Sequence, residues 1–111
     1  MNRYPKISIC IPTHNNEYTL LRTIKSIQNQ KYPNVEVIIV ENNSIDNTFE
    51  VCKEIENIYE NVKLFQSNIP GVSNARNICL NNVTGEIIGF CDGDDTYESD
   101  ILFKLLEQCY R

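Results

Sequence analysis

Three carboxylates stand within four positions at Asp92-Gly93-Asp94-Asp95, directly after the apolar run Ile87 to Cys91. The run reads as a buried strand and the acidic group as the turn where it leaves the core. Carboxylates packed this closely repel one another unless a cation sits among them. Mg²⁺ and Mn²⁺ suit such a place, because they take oxygen ligands and are commonly held by one or two carboxylates plus substrate phosphates. The cluster therefore points to a metal–phosphate site for a nucleotide-type ligand. The plainer reading is that acids after a strand cap the next helix. In an extended exit, Asp92 and Asp94 would point the same way and reach one ion. Gly93 would let backbone approach a ligand, and Asp95 divides between ligation and capping.

Other residues could join this chemistry. Glu41 leaves an apolar run, where its carboxylate could accept from a base N–H or a ribose hydroxyl. A solvated loop charge is the alternative. Asn42, Asn43 and Ser44 suit turn geometry and capping, with Asn42 also in reach of a ligand. Arg76 falls early in a helix that follows Gly71, a good place for a phosphate clamp, though an exposed or carboxylate-paired arginine reads almost as well. His14 is the one histidine. Without a nucleophile partner it makes no hydrolytic triad, and an ordinary turn residue is the simpler reading.

Alternating elements must position these groups. The sequence predicts strands at Lys6–Ile11, Val35–Val40, Val62–Phe65 and Glu86–Cys91. It predicts helices at Glu17–Gln30, from Asn47 to about Glu60, at Ser73–Asn82 and from about Ser99. The first helix would bury Leu20, Leu21, Ile24 and Ile27. Asn47-x-x-Glu50 resembles a capping box, and Gly85 would stop the third helix. Strand–helix alternation with short connections implies an α/β fold: a Rossmann-like, mostly parallel sheet with helices on both faces. Right-handed crossovers put every strand's carboxyl end on one edge, and there lie the Pro12-Thr13-His14-Asn15, Glu41–Ser44 and Asp92–Asp95 segments. With strand order 3-2-1-4, the ligand crevice would open between strands one and four.

Composition narrows the partners. The 111 residues fit one domain, 41% apolar and 23% charged. A net charge of −5 argues against a nucleic-acid backbone or an anionic lipid surface as partner. Five cysteines, odd in number and without a CxxC pair, read as buried reduced thiols in a cytoplasmic protein. No apolar run approaches the roughly 18 residues of a membrane span, so attachment to the cytoplasmic face of a membrane would use parts outside this chain. A helical pattern still runs at Tyr110-Arg111, as expected of the front part of a longer protein.

Five blocks in order carry a resemblance: Ile7–Asn16 (ISICIPTHNN), Ser26–Pro33 (SIQNQKYP), Val37–Thr48 (VIIVENNSIDNT), Gly71–Asn77 (GVSNARN) and Gly85–Asp95 (GEIIGFCDGDD). Together they resemble the N-terminal, nucleotide-binding half of a family 2 glycosyltransferase. Those are inverting enzymes of the GT-A fold, here truncated. The resemblance spans residues 1–111 as a single domain and implies donor-site roles. Pro12, Thr13, His14 and Asn15 would line the nucleoside pocket. Glu41 and Asn42 would meet the base or ribose. Arg76 would lie near the diphosphate, and Asp92, Gly93 and Asp94 would form the DxD turn. Asp94 would be the more direct ligand of Mn²⁺ or Mg²⁺, with Asp92 beside it. The implied partners are a nucleotide-diphosphate sugar, a UDP-sugar first, and a glycan or lipid-linked acceptor. Glu41-Asn42 replaces a frequent Asp-Asp, and His14 a frequent tyrosine, which leaves the preferred base open. The catalytic base, an aspartate on a later segment of the family, has no counterpart before Arg111.

Three rivals stand beside this reading. Asp92-x-Asp94-x-Thr96 also fits the nucleophile motif of haloacid-dehalogenase-type phosphatases. That motif usually opens its domain, and it leaves the Thr13 and Glu41 loops unexplained. A calcium-binding loop fails, because Tyr97 and Phe103 stand where Gly and Glu are needed. A non-catalytic nucleotide-binding or interaction module would keep the fold without the chemistry.

Overall fold

A computed structural model describes residues 4–94 and 101–109. Its elements run β1 (Ile7–Thr13), α1 (Leu20–Gln28), β2 (Val35–Asn42), α2 (Thr48–Ile58), β3 (Val62–Ser67), α3 (Val72–Asn82), β4 (Ile87–Phe90) and α4 (Ile101–Cys109). The strands form one parallel sheet of order β3-β2-β1-β4, as the sequence predicts.

β1 and β2 are almost wholly buried, because helices cover both faces of the sheet and leave no side for polar alternation. Ile7, Ile9 and Ile11 of β1 and Val37 and Ile39 of β2 pack against α1, α2 and α4. Cys10, Ile38 and Val40 turn to the other face, against Ala75 and Cys79 of α3. Period-two alternation divides the strands this way.

Several boundaries depart from expectation, for tertiary reasons. β1 and β2 run on to Thr13 and Asn42 because Thr13 pairs with Glu41, and Glu41 with Gln66. Glu41 is thus a strand residue, not the start of a loop. On α1 the buried set is Leu20, Thr23, Ile24 and Ile27; Leu21 is exposed. The Asn47–Glu50 capping box does not form, since Asn47 makes no side-chain cap bond. Asp46 Oδ1 instead accepts from the Thr48 N–H at 2.9 Å and from Thr48 Oγ1 at 2.5 Å. Burial works to raise the Asp46 carboxyl, and these bonds outweigh it, leaving the group below its ordinary range.

α3 ends at Asn82 with Val83 already extended, so Gly85 is not its stop. Gly85 lies where a Cβ would come within 2.5 Å of Ser8 Oγ and 2.7 Å of the Lys6 carbonyl. It is there for close approach of backbone to β1.

Candidate nucleotide-binding edge

The β1–α1 and β2–α2 loops are tied together at the carboxyl edge of the sheet. Asn15 and Asn43 both adopt positive φ, at 53° and 52°, a conformation that asparagine tolerates better than most residues. The Asn15 N–H donates to Ser44 Oγ at 3.0 Å, and Asn15 Oδ1 accepts from the Ile45 N–H at 3.0 Å. The Asn16 N–H donates to Thr48 Oγ1 at 2.7 Å.

His14 joins the same network. Its Nδ1 lies 2.6 Å from the Asn42 carbonyl and its Nε2 lies 3.1 Å from Asn15 Nδ2. A carbonyl only accepts, so Nδ1 carries the proton and Nε2 accepts from the Asn15 amide. Both ring nitrogens are engaged, which suits a wall residue better than a proton carrier.

Glu41 is 1% exposed, which removes the reading as a solvated loop charge. Its Oε2 accepts from the Ser44 N–H at 2.6 Å and its Oε1 from Gln66 Nε2 at 3.1 Å. Asn42 projects to the opposite face, as the next strand residue must. Its Nδ2 donates to the Gly71 carbonyl at 3.1 Å, which fixes the amide. Its Oδ1 is buried and has no hydrogen-bond partner among the described residues. A recess of about 240 Å³ opens beside it, lined by His14, Asn42, Asn43, Pro70, Gly71 and Val72. This recess sits by the ends of β1 and β2 and the start of α3.

The acidic turn meets the β1–α1 loop from the other side. The Cys91 N–H donates to the Cys10 carbonyl at 3.0 Å, and the chain then turns at Gly93–Asp94. The exit is a turn, not the extended segment expected, so alternation does not align Asp92 with Asp94. A Cβ on Gly93 would lie 2.5 Å from Thr13 Oγ1 and 2.6 Å from Asn16 Oδ1. Gly93 therefore packs closely against this loop. Thr13 Oγ1 itself donates to Asn16 Oδ1 at 2.6 Å.

Asp92 and Asp94 are exposed. The ion pairs among the described residues leave both carboxylates out. Two exposed oxygen-donor groups without a cationic neighbour fit a hard divalent ion. The described residues alone group no three such ligands. Asp95 and Thr96 lie outside the described residues.

Arg76 lies in the second turn of α3. It is exposed on α3, with its guanidinium carbon 5.6 Å from the Phe90 ring centroid. Phe90 ends β4, so the cation sits two residues ahead of Asp92. Pro12 is a half-buried strand residue. Sequence reasoning missed Asn16, Thr19, Thr23 and Gln66. A polar Thr23 on the apolar stripe of α1 was the readable signal.

Comparison with known proteins adds the lineage. A glucosyltransferase of Campylobacter jejuni, GalNAc(5)-diNAcBac-PP-undecaprenol beta-1,3-glucosyltransferase, is 34% identical over 106 residues, 94% of this chain and 34% of its own length. The Staphylococcus aureus TarS fragment 1–349, solved with UDP-GlcNAc, superposes with TM-score 0.79 at 29% identity over 92% of this chain and 30% of that one. The mannosyltransferase PcManGT of Pyrobaculum calidifontis, solved with GDP-Man and Mn²⁺, shares the fold: TM-score 0.90 at 23% identity, over 99% of this chain and 34% of that one. The chain spans 15% to 42% of the length of the curated relatives it matches. The family model described as Glycosyl transferase family 2 matches residues 8–111, and the chain belongs to that family.

Proposed function

We propose that this chain is the donor-binding half, residues 1–111, of an enzyme that transfers a sugar from a nucleotide-diphosphate sugar to an acceptor hydroxyl with inversion. One observation carries the reading. The loop Thr13–Asn16 has His14 on the recess and Thr13 and Asn16 against Gly93, so a base-sized recess and an acidic turn share one rigid wall. A nucleoside diphosphate has the same two ends.

In this reading, Pro12, Thr13, His14 and Asn15 wall the nucleoside. Asn42 and Asn43 line the recess for the base, and Glu41 holds the Ser44 loop beside it. Arg76 faces the diphosphate. Asp94 holds Mn²⁺ or Mg²⁺, with Asp92 and Gly93 completing the turn. When bound, the ion supplies charge stabilisation for the departing diphosphate. A carboxylate base on a later segment takes the proton from the attacking hydroxyl. The acceptor is a glycan or a lipid-linked glycan. The UDP-GlcNAc complex of TarS supports a UDP-sugar as the first donor to test. Cytoplasmic placement belongs to the same proposal, supported by four buried cysteines carrying no disulfide. Among the described residues no helix is long and apolar enough to cross a membrane.

Calorimetric titration of UDP into the full-length protein, with and without Mn²⁺ and repeated on Asp94→Ala, tests this. Mn²⁺-dependent binding that Asp94→Ala abolishes is expected. UDP, GDP and dTDP all failing to bind with either ion would overturn it, as would binding indifferent to both metal and substitution.

A further inference from the structure

The acidic turn is held by two hydroxyls from the opposite end of the sequence. Thr19 Oγ1 donates to the Gly93 carbonyl at 3.0 Å and Thr23 Oγ1 donates to it at 3.2 Å. Their sequence separations from Gly93 are 74 and 70 residues. Each hydroxyl also has a local acceptor, the Asn16 carbonyl at 3.5 Å for Thr19 and the Thr19 carbonyl at 3.4 Å for Thr23, and in both cases the Gly93 carbonyl is the nearer. Thr19 is the N-cap of α1, yet its side chain makes no capping bond; the hydroxyl that would ordinarily serve a helix N–H is turned to Gly93 instead. Thr23 is completely buried on the apolar face of α1, where a polar group costs stability unless it is bonded.

The consequence is orientation. All peptide bonds among the described residues are trans, so the C=O of Gly93 and the N–H of Asp94 point in opposite directions across one rigid plane. Anchoring the carbonyl on α1 turns the Asp94 N–H away from α1 and sets the direction in which Asp94 leaves the turn. The Gly93 Cα, seated against Thr13 and Asn16, blocks the other escape. A carbonyl with two hydroxyl donors also resists the peptide flip that would undo this.

We infer that Thr19 and Thr23 are positioning residues for the acidic turn, orienting the Gly93–Asp94 peptide so that Asp94 presents its carboxylate to the nucleotide-bound cation. This rests on the nucleotide reading for its purpose, but not for its geometry. Two readouts separate them in the full-length protein: amide hydrogen exchange at residues 91–94 without ligand, and Mn²⁺-dependent UDP affinity. The Thr19→Val, Thr23→Val double variant is expected to exchange about tenfold faster at these amides, with little change in the β1–β2 core, since a local opening is being made cheaper. UDP affinity in Mn²⁺ should fall about tenfold, and Thr23→Ser on the Thr19→Val background should restore much of both. Should Thr23→Val disturb the buried helix face, Thr19→Val at the half-buried N-cap carries the same comparison.

Unchanged exchange overturns the clamp. Faster exchange with unchanged Mn²⁺-dependent affinity overturns the positioning role. Faster exchange in a protein whose wild type binds no nucleotide in Mn²⁺ supports the clamp and removes instead the reading on which its purpose rests.

Discussion

Glu36 places a buried carboxylate at the base of the sheet, opposite the candidate site. Its Oε2 accepts from Ser8 Oγ at 2.6 Å, from the Thr84 N–H at 2.6 Å and from Thr84 Oγ1 at 2.9 Å. Its Oε1 has no hydrogen bond but faces Lys6 and Lys63 Nζ at 3.5 and 3.6 Å. Burial pushes this carboxyl up; the bonds from Ser8 and Thr84 and the Lys6 charge more than reverse it, and the group falls from 4.5 to about 2. A depressed folded-state pKa contributes stability that is complete above the unfolded value and is lost as pH falls through the folded one. The window is therefore pH 4.5 down to about 2, and the full loss is on the order of 3 kcal/mol. Glu36→Gln should destabilise the protein at pH 7 and flatten that acid limb, as chemical denaturation at stepped pH would measure. An unchanged limb would assign the acid sensitivity to other carboxylates. The buried Cys52 thiol, pushed to about 12 by burial and then by the Glu41 charge, should react with a thiol reagent only on unfolding.

Elements come close at two glycines, and there the cost of a methyl group follows from its neighbours. At Gly85 the obstruction includes backbone, the Lys6 carbonyl and the Ser8 N–H at 2.9 Å, which cannot swing aside. Gly85→Ala should lower stability by about 1–3 kcal/mol, read as a fall in melting temperature. At Gly93 the obstruction is two side chains, Thr13 and Asn16, which can shift by breaking their mutual bond. Gly93→Ala should keep most of the stability and weaken Mn²⁺-dependent UDP binding, a split that thermal melts and titration together resolve. The order of elements was legible because Ile7–Ile11, Val35–Val40 and Ile87–Cys91 are mainly apolar stretches, broken only by Ser8, Glu36 and Gly89, between turn residues. The acidic turn was legible because its three carboxylates are local. Glu36, Gln66, Thr19 and Thr23 were not, since their partners lie 25 to 74 residues away and leave no periodic trace. α2 starts after Asn47 as expected, although Asp46 rather than Asn47 supplies the side-chain bond there.

Taken whole, the sheet is asymmetric. Among the described residues β4 pairs only with β1, and its outward Ile88 and Phe90 are 40% and 45% exposed. An edge strand bearing apolar side chains invites pairing with another chain. The 111-residue chain should therefore self-associate as concentration rises, and Ile88→Lys should reduce this; light scattering that gives 12.9 kDa throughout for the unsubstituted chain would refute it.

The Thr13–Asn16 loop has one further implication. It touches the recess through His14 and the acidic turn through Thr13 and Asn16, within four residues. A base that holds His14 also holds Thr13 and Asn16, and with them the seat of Gly93. Base and cation would then bind cooperatively, and thermodynamic reciprocity requires that each tighten the other by the same factor.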